Sequence, residues 1–260
     1  MTAVLSLISR MAEAATVEDV WSIASDFYAQ LGFSRANYGF TRFFHMDNVG
    51  DPDDAIFLTT GTADYARFYF HNGFYARTPV YRWALANVGA CTWRWVKDAF
   101  EAGQLTAEEM DAVQQNLAWG VVAGISVSFP ETSTRSKGAL GLIADKGISP
   151  DQVEAIWGAR RDEILAVAHL MHLKITTLPQ TAAKRSLTER QRQALEWVAD
   201  GKTAQDVALL MDVSAAMVEK HLRLAREALQ VETTTQAVAK ASLLNLIFQR
   251  AAKAQMVGKS

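Results

Sequence analysis

The sequence lacks the features that mark secreted and membrane-spanning proteins. Its 260 residues include a single cysteine, Cys91, which excludes an internal disulfide framework and is typical of a reducing compartment. No stretch approaches the ~20 apolar residues that a membrane-spanning helix needs, and the N-terminus has no basic region followed by an apolar run. We therefore expect a cytoplasmic protein that does not enter a membrane.

Signatures of catalysis and of metal binding are also missing. The sequence contains no glycine-rich phosphate loop, no nucleophile elbow and no paired-acid signature. His169 and His172 stand three residues apart, but no acid or cysteine nearby in sequence completes a metal set. The acidic run 51–54 lacks the bidentate acid that closes a calcium loop, and Cys91 lies in an apolar stretch typical of a core residue. We expect neither an enzyme nor a metal or cofactor site.

The composition is that of a folded protein whose charge is unevenly divided. Apolar residues make up 50% of the chain and charged residues 21%, which suits one large or two ordinary domains. Residues 184–260 contain 12 Lys and Arg against 8 Asp and Glu, whereas residues 1–183 contain 14 against 20. Positive charge concentrated at one end of a chain with pI about 6.2 favours contact with phosphate groups there.

Residues 187–246 predict four short helices, most of them with a recognisable start signal. The residues that cap these helices or end them are Thr188, Gln191, Gly201, Thr203, Ser214 and Thr233. The spacing predicts helix, tight turn, helix and two packing helices, with Lys220 and Arg223 facing outward, as in a DNA-reading helix-turn-helix. A small helical bundle of another function has the same spacing, so spacing alone leaves both interpretations open.

This region resembles the DNA-binding domain of the LuxR family of bacterial transcription regulators over about 60 residues. The matching residues are Leu187, Thr188, Arg190, Leu195, Val198, Ala199, Gly201, Lys202, Thr203, Val207, Ala208, Leu210, Val213, Ser214, Val218, His221, Leu229, Val231, Ala237, Val238 and Ala241. The resemblance implies double-stranded DNA as a partner and the following DNA-binding residues: Lys202, Thr203, Ser214, Lys220, His221 and Arg223. Gln191, Met217, Ala228 and residues 232–234 depart from the family pattern and leave fewer cationic contacts.

Residues 1–173 predict a mixed domain of helices and antiparallel strands. Helices are expected at 3–14, 17–31, 64–74, 106–119 and 151–173, and strands at 36–46, 55–60, 91–96, 121–129 and 139–144. Two hairpins in this order predict a five-stranded antiparallel sheet between helical layers, an α/β/α sandwich. With a linker at 174–186 and an all-α helix-turn-helix domain at 187–260, the predicted fold class is α+β.

An aromatic segment in this domain extends the resemblance to LuxR-type quorum-sensing receptors. Tyr65, Tyr69, Thr78-Pro79, Trp93 and Gly124 stand at the spacing of the Trp, Tyr, Asp-Pro, Trp and Gly of their ligand-binding domain. The resemblance implies a pocket for an acyl-homoserine lactone, and its expected ligand-binding residues are Tyr65, Tyr69, Thr78, Trp93 and Gly141. The alternative is that these aromatic side chains fill a core.

The polar end of the expected pocket departs most from the family. Tyr65 replaces a Trp whose indole N–H donates to the lactone carbonyl, and Thr78 replaces the Asp that accepts the ligand amide N–H. A hydroxyl is a weaker acceptor than a carboxylate, so Thr78 is expected to hold an amide less tightly. Gly61 stands where many members have a Tyr, and Gly141 where a Ser or Thr often contributes.

These observations predict a ligand-responsive DNA-binding transcription regulator that acts as a homodimer. A two-fold protein matches a palindromic site, and the apolar stripe of residues 151–173 is expected to contribute to the dimer contact. Two alternatives stay open, namely a regulator that responds to another small molecule or to none, and a protein that no longer binds DNA and pairs with other regulators.

Overall fold

The computed structural model describes residues 2–45, 48–179 and 186–248. The chain divides into two compact units between Thr177 and Leu178. The N-terminal unit has a five-stranded sheet with helices, and the C-terminal unit is helical. The predicted α+β fold class is therefore confirmed.

The N-terminal unit contains seven α-helices and five β-strands among its described residues. The helices are α1 (Thr2–Glu13), α2 (Val17–Gln30), α3 (Ala63–Ala66), α4 (Pro79–Ala86), α5 (Arg94–Glu101), α6 (Ala107–Ala118) and α7 (Pro150–Thr177). The strands are β1 (Arg35–Thr41), β2 (Ile56–Thr59), β3 (Gly89–Thr92), β4 (Gly124–Ser128) and β5 (Lys137–Ile143). Short 3₁₀ helices cover Pro52–Asp54 and Phe74–Arg77.

The sheet has the order β2-β1-β5-β4-β3, and all its pairs are antiparallel. Neighbouring residues of a strand point to opposite faces. Tyr38 of β1 contacts Trp21 of α2 and His172 of α7, whereas the preceding residue, Asn37, contacts Tyr65 of α3. The sheet therefore lies between two helical layers, which confirms the predicted sandwich.

A buried polar network lies on the α7 face of the sheet. The Nδ1 atom of His172 is 2.9 Å from the hydroxyl of Tyr38, and its Nε2 atom is 3.1 Å from the Glu131 carboxylate. The imidazole also stacks on Phe129, with ring centroids 4.0 Å apart. His169 also contacts Phe129, but its Nδ1 atom lies 2.7 Å from the backbone oxygen of Leu165, so the two histidines have different polar partners. No cluster of three or more metal-ligating side chains occurs within the described residues.

Several predicted boundaries were wrong because tertiary contacts decide them. The strand predicted at 36–46 ends at Thr41, since its partner β5 begins opposite at Lys137. The strand predicted at 91–96 ends at Thr92, because the backbone N–H of Trp93 donates to the backbone oxygen of Gly124 and the chain then turns into α5. The sequence pattern had not indicated this helix. The helix predicted to end at Leu173 continues to Thr177, so the first residues of the expected linker are helical.

The helix predicted at 64–74 is broken into three pieces. It begins as α3, widens into a π-helical turn at Arg67–His71, and is followed by the 3₁₀ helix after Gly73, whose φ is 72°. The wide turn sends successive rings to different partners, since Tyr69 stacks on Tyr65 and Phe70 stacks on Phe57. Such turns are frequent at functional sites.

The C-terminal unit consists of α8 (Glu189–Ala199), α9 (Ala204–Met211), α10 (Ala215–Leu229) and α11 (Thr234–Leu243) among its described residues. Capping boxes occur at Thr188, Thr203 and Thr233, and Ser214 caps α10. Apolar side chains from all four helices form one core: Ala194, Leu195, Val207, Met211, Val218, Leu222, Ala225, Leu229, Ala237 and Ala241. Across the described residues of the whole chain, no helix has the length and apolar character needed to cross a membrane.

Candidate functional site

Two adjoining cavities lie on the α3 side of the sheet. The first, the sheet cavity, has a volume of about 110 Å³ and is bounded by residues of β1 and β5 together with α4. The second, the helix cavity, has a volume of about 320 Å³ and is bounded by residues of α4, α5 and α6. Five residues line both cavities and are called the common wall: Tyr69, Thr78, Val80, Trp93 and Ile143.

The five residues predicted to bind the ligand all border these cavities. Tyr69, Thr78 and Trp93 stand in the common wall. Tyr65 borders the helix cavity, and Gly141 borders the sheet cavity. The aromatic segment therefore encloses empty space next to the sheet, in addition to packing against itself.

Tyr65 and Tyr69 form a stacked pair, with ring centroids 5.4 Å apart and planes inclined by 17°. The Tyr65 ring occupies the space beside Gly61, where an added Cβ would come within 2.6 Å of it. The small residue at position 61 thus makes room for the tyrosine at position 65. Burial raises the pKa of both phenols, against a smaller opposite effect of hydrogen bonding by Asn37, so both hydroxyls stay protonated at neutral pH.

Thr78 is 2% exposed and caps α4. Its hydroxyl donates to the backbone oxygen of Tyr75 at 2.7 Å and accepts the N–H of Tyr81 at 3.3 Å. Pro79 occupies the first helical position, where its missing N–H is not needed. The hydroxyl that replaces the family carboxylate is therefore already engaged with the backbone.

Trp93 joins the common wall to strand β4. Its indole N–H donates to the hydroxyl of Ser126 at 2.8 Å. The ring lies over Gly124, where an added Cβ would be 2.8 Å from the ring and even closer to the backbone oxygen of Leu142. Gly141 differs, because an added Cβ there would be 3.8 Å from Trp93, an ordinary contact.

Sequence reasoning missed three polar residues of this site: Asn37, Thr59 and Ser126. Asn37 is 6% exposed and joins Thr59 to Tyr65 by hydrogen bonds of 2.7 and 2.9 Å. Polar residues in strands usually face water, so the pattern of β1 alone carried no signal for a buried amide. The sequence offered only the position of Asn37. It is next to Tyr38 in β1 and therefore points to the opposite face of the sheet, which helices also cover.

Cys91 in β3 is half-buried near the same wall. Burial raises the pKa of its thiol to about 11, against smaller opposite effects of hydrogen bonds with Trp95 and Ser126. The thiol is therefore protonated at neutral pH and is a poor nucleophile.

The residues predicted to contact DNA lie at the start of α9 and along α10. Thr203 caps α9 in a box with Asp206, and Ser214 caps α10 by accepting the N–H of Met217. The side chains of Lys202 and Lys220 are exposed, and His221 is half-buried. Arg223 is exposed as well, but its guanidinium pairs with Glu227.

Lys220 differs from Arg223 in its electrostatic surroundings. Within the part of the chain that the structure describes, Lys220 forms no ion pair. The Lys220 ammonium can contact a phosphate without first breaking an ion pair. The Arg223 guanidinium must first leave the Glu227 carboxylate. We therefore expect Lys220 to contribute more than Arg223 to the electrostatic attraction for DNA.

Two family models match the chain. The autoinducer binding domain matches residues 16–175, and the domain of bacterial regulatory proteins of the luxR family matches residues 185–241. The HTH-type quorum sensing-dependent transcriptional regulator RpaR of Rhodopseudomonas palustris is 26% identical over 82% of this chain and 84% of its own length. The transcriptional activator protein SolR of Ralstonia nicotianae is 26% identical over 84% and 87%, respectively.

The fold also matches solved structures. The N-acylhomoserine lactone dependent LuxR family transcription factor CepR2 of Burkholderia cenocepacia aligns with a TM-score of 0.51 and 16% identity, covering 67% of this chain and 94% of CepR2. This likeness shows a shared fold. The two domain matches place the chain among transcription regulators. The chain belongs to the LuxR family of quorum-sensing transcription regulators, with an autoinducer binding domain followed by a helix-turn-helix DNA-binding domain.

Proposed function

We propose that this regulator binds an acyl-homoserine lactone in the two adjoining cavities and that the bound lactone controls its affinity for DNA. The observation that carries this proposal is the placement of Tyr69, Thr78 and Trp93 in the common wall. The helix cavity of about 320 Å³ lies within the range of small-molecule sites. Its lining is mostly apolar, which suits an acyl chain.

The DNA part of the proposal rests on α10. The exposed first turns of this helix begin at Ser214 and lead to Lys220, and the N-terminal residues of a recognition helix contact base edges in the major groove. We further propose that the regulator works in the cytoplasm as a homodimer, since two half-sites multiply sequence discrimination.

Calorimetric titration of the full chain with lactones of short, medium and long acyl chains tests the ligand. The wild-type protein should bind at least one of them. Thr78→Asp should tighten lactone binding by about 1 kcal/mol, because a carboxylate is a stronger acceptor for the amide N–H. Aspartate also caps helices well, so α4 should keep its start.

The titration has two informative failures. Absence of binding by every lactone to either protein would remove the lactone and leave a regulator with another ligand or none. Weaker binding by Thr78→Asp would mean that the cavity is shaped around a different head group, because an unpaired buried carboxylate costs about 1–3 kcal/mol.

The DNA contact is tested on sequences selected by the wild-type protein from a random duplex library. Lys220→Ala should weaken binding to the selected site. The slope of the logarithm of the binding constant against the logarithm of the salt concentration should become shallower by about one unit, which corresponds to one lost phosphate contact. Lys146→Ala removes the same charge from an exposed position of the N-terminal unit and should change neither quantity. Failure to select any sequence would favour the alternative in which the protein pairs with other regulators.

A further inference from the structure

Asn37 borders the sheet cavity and is held in one orientation by hydrogen bonds at both ends of its amide. Its Oδ1 atom accepts a hydrogen bond of 2.7 Å from the hydroxyl of Thr59, and its Nδ2 atom donates to the hydroxyl of Tyr65 at 2.9 Å. The Thr59 oxygen in turn accepts the N–H of Gly61 at 3.0 Å, which leaves its own proton for Asn37. The amide therefore presents its NH₂ group to the tyrosine pair.

This orientation decides what the tyrosine pair can do. Since the Tyr65 oxygen accepts from Asn37, its own O–H is directed elsewhere and remains a donor. Tyr69 stacks on Tyr65 and also interacts with the Asn37 side chain, which lowers the Tyr69 pKa against the larger effect of burial. Both phenols border the helix cavity. Asn37 thus leaves the Tyr65 hydroxyl available as a donor beside the helix cavity.

The side-chain oxygens at Thr78 and Ser126 already accept hydrogen bonds, and the amide oxygen of Asn116 in the helix cavity is a neutral acceptor. The Thr78 oxygen accepts from the backbone of Tyr81, and the Ser126 oxygen accepts from the indole of Trp93. Among the described residues that bound the sheet cavity there is no Asp or Glu. The ammonium of Lys137 in that lining is a further donor, 3.3 Å from the backbone oxygen of Asn87. Glu101, which borders the helix cavity, is exposed and pairs with Lys97.

We infer that this receptor recognises the polar head of its ligand through acceptor oxygens alone, and that Asn37 is the positioning residue for the tyrosine donors. The ligand class is an acyl lactone or ester whose carbonyl oxygens accept hydrogen bonds and whose linkage needs no N–H. This inference rests on the proposed function, because it assigns the head-group chemistry of the same cavities.

The test compares two ligands that differ in one group. One is the N-acyl homoserine lactone that binds best, and the other is its ester analogue, in which oxygen replaces the amide N–H. Calorimetry on the full-length protein should give dissociation constants within about threefold of each other, a difference well below the tenfold that corresponds to ~1.4 kcal/mol. Thr78→Asp is the positive control and should prefer the amide by about tenfold, since its carboxylate can accept the N–H.

Two substitutions test Asn37 itself. Asn37→Asp keeps the shape but supplies an acceptor, so the Tyr65 hydroxyl turns to it, and both ligands should bind about tenfold more weakly. Tyr65→Phe removes the donor directly and should give the same loss for both ligands, even if Asn37→Asp does not fold. Asn72→Asp adds the same charge at an exposed position that lines neither cavity and should keep the wild-type affinities within about threefold.

The outcomes separate the inference from the proposed function. A wild-type protein that binds the amide but rejects the ester overturns the inference and leaves the lactone receptor intact. Unchanged affinities in a folded Asn37→Asp and in Tyr65→Phe overturn the role of Asn37. Binding of neither ligand removes both the inference and the lactone proposal.

Discussion

Among the described glycines of the sheet, Gly124 has the least space for a side chain. An added Cβ would collide with the backbone oxygen of Leu142 on β5 and with the ring of Trp93. Gly124→Ala should therefore lower the free energy of unfolding by about 1–3 kcal/mol, because backbone or the indole must shift. Urea denaturation of the full chain measures this loss.

Gly141 provides the matched control on the neighbouring strand. It pairs with both Asn37 and Ser126, and its added Cβ would meet Trp93 at an ordinary distance. Gly141→Ala should leave stability unchanged or raise it slightly, since alanine loses less conformational entropy in a strand. Equal losses for both substitutions would contradict the account of Trp93 packing on Gly124.

The contribution of single residues to the site was only partly predictable. Tyr65, Tyr69, Thr78, Trp93 and Gly141 were found because the family resemblance supplied their positions, and the structure places them around the cavities. Their roles in binding stay a prediction. Asn37 and Ser126 were not found, because a lone polar residue in a strand does not reveal which face it occupies or what covers that face.

At the scale of elements, α4 is held to α6 by one charged pair. Arg82 of α4 donates to both carboxylate oxygens of Glu109 at 2.6 and 3.2 Å, and Glu109 closes the capping box of α6 with Thr106. Burial acts to raise the pKa of Glu109, but the hydrogen bonds from Arg82 and Thr106 outweigh it and lower the pKa. The stabilisation is therefore present above the unfolded pKa and is lost as pH falls through the lower, folded pKa.

Glu109→Gln should destabilise the protein near neutral pH and much less at acidic pH. Glutamine can keep the capping box but cannot pair with Arg82 as an anion. We expect a loss of about 1 kcal/mol near neutral pH, because Arg82 is largely exposed and solvent screens the pair. Thermal unfolding of both proteins across this pH range provides the measurement. A loss that is constant with pH would show that packing, not charge, causes it.

Helix starts were predictable, whereas interruptions were not. Local side-chain caps fix the starts of α6, α8, α9 and α11, and each cap is visible in sequence. The π-helical turn at Arg67–His71 depends on rings that reach Phe57 and Trp119, which are distant in sequence. Helix α5 was read as a strand continuing from β3, because the alternation around Trp93 and Trp95 imitates a strand period.

For the whole molecule, α7 serves mainly the core of its own unit. Its inner apolar residues are covered by α1, α2 and the sheet, whereas Leu173 is exposed and Trp157 is half-buried. Val153, Ile164, Val167 and Met171 are buried inside their own unit. A homodimer, and the contribution of α7 to its contact, stay predictions. Light scattering at micromolar concentration should give twice the mass of one chain, and a stable monomer with and without lactone would contradict it.

The central claim is that occupancy of the cavities changes affinity for DNA. Fluorescence anisotropy of the selected duplex, titrated with the full chain with and without saturating lactone, measures that coupling directly. We expect the two affinities to differ by about 5–150-fold, and the lactone affinity of the DNA-bound protein to differ by the same factor, because coupling is reciprocal. Identical DNA affinities with and without a lactone that calorimetry shows to be bound would contradict the claim.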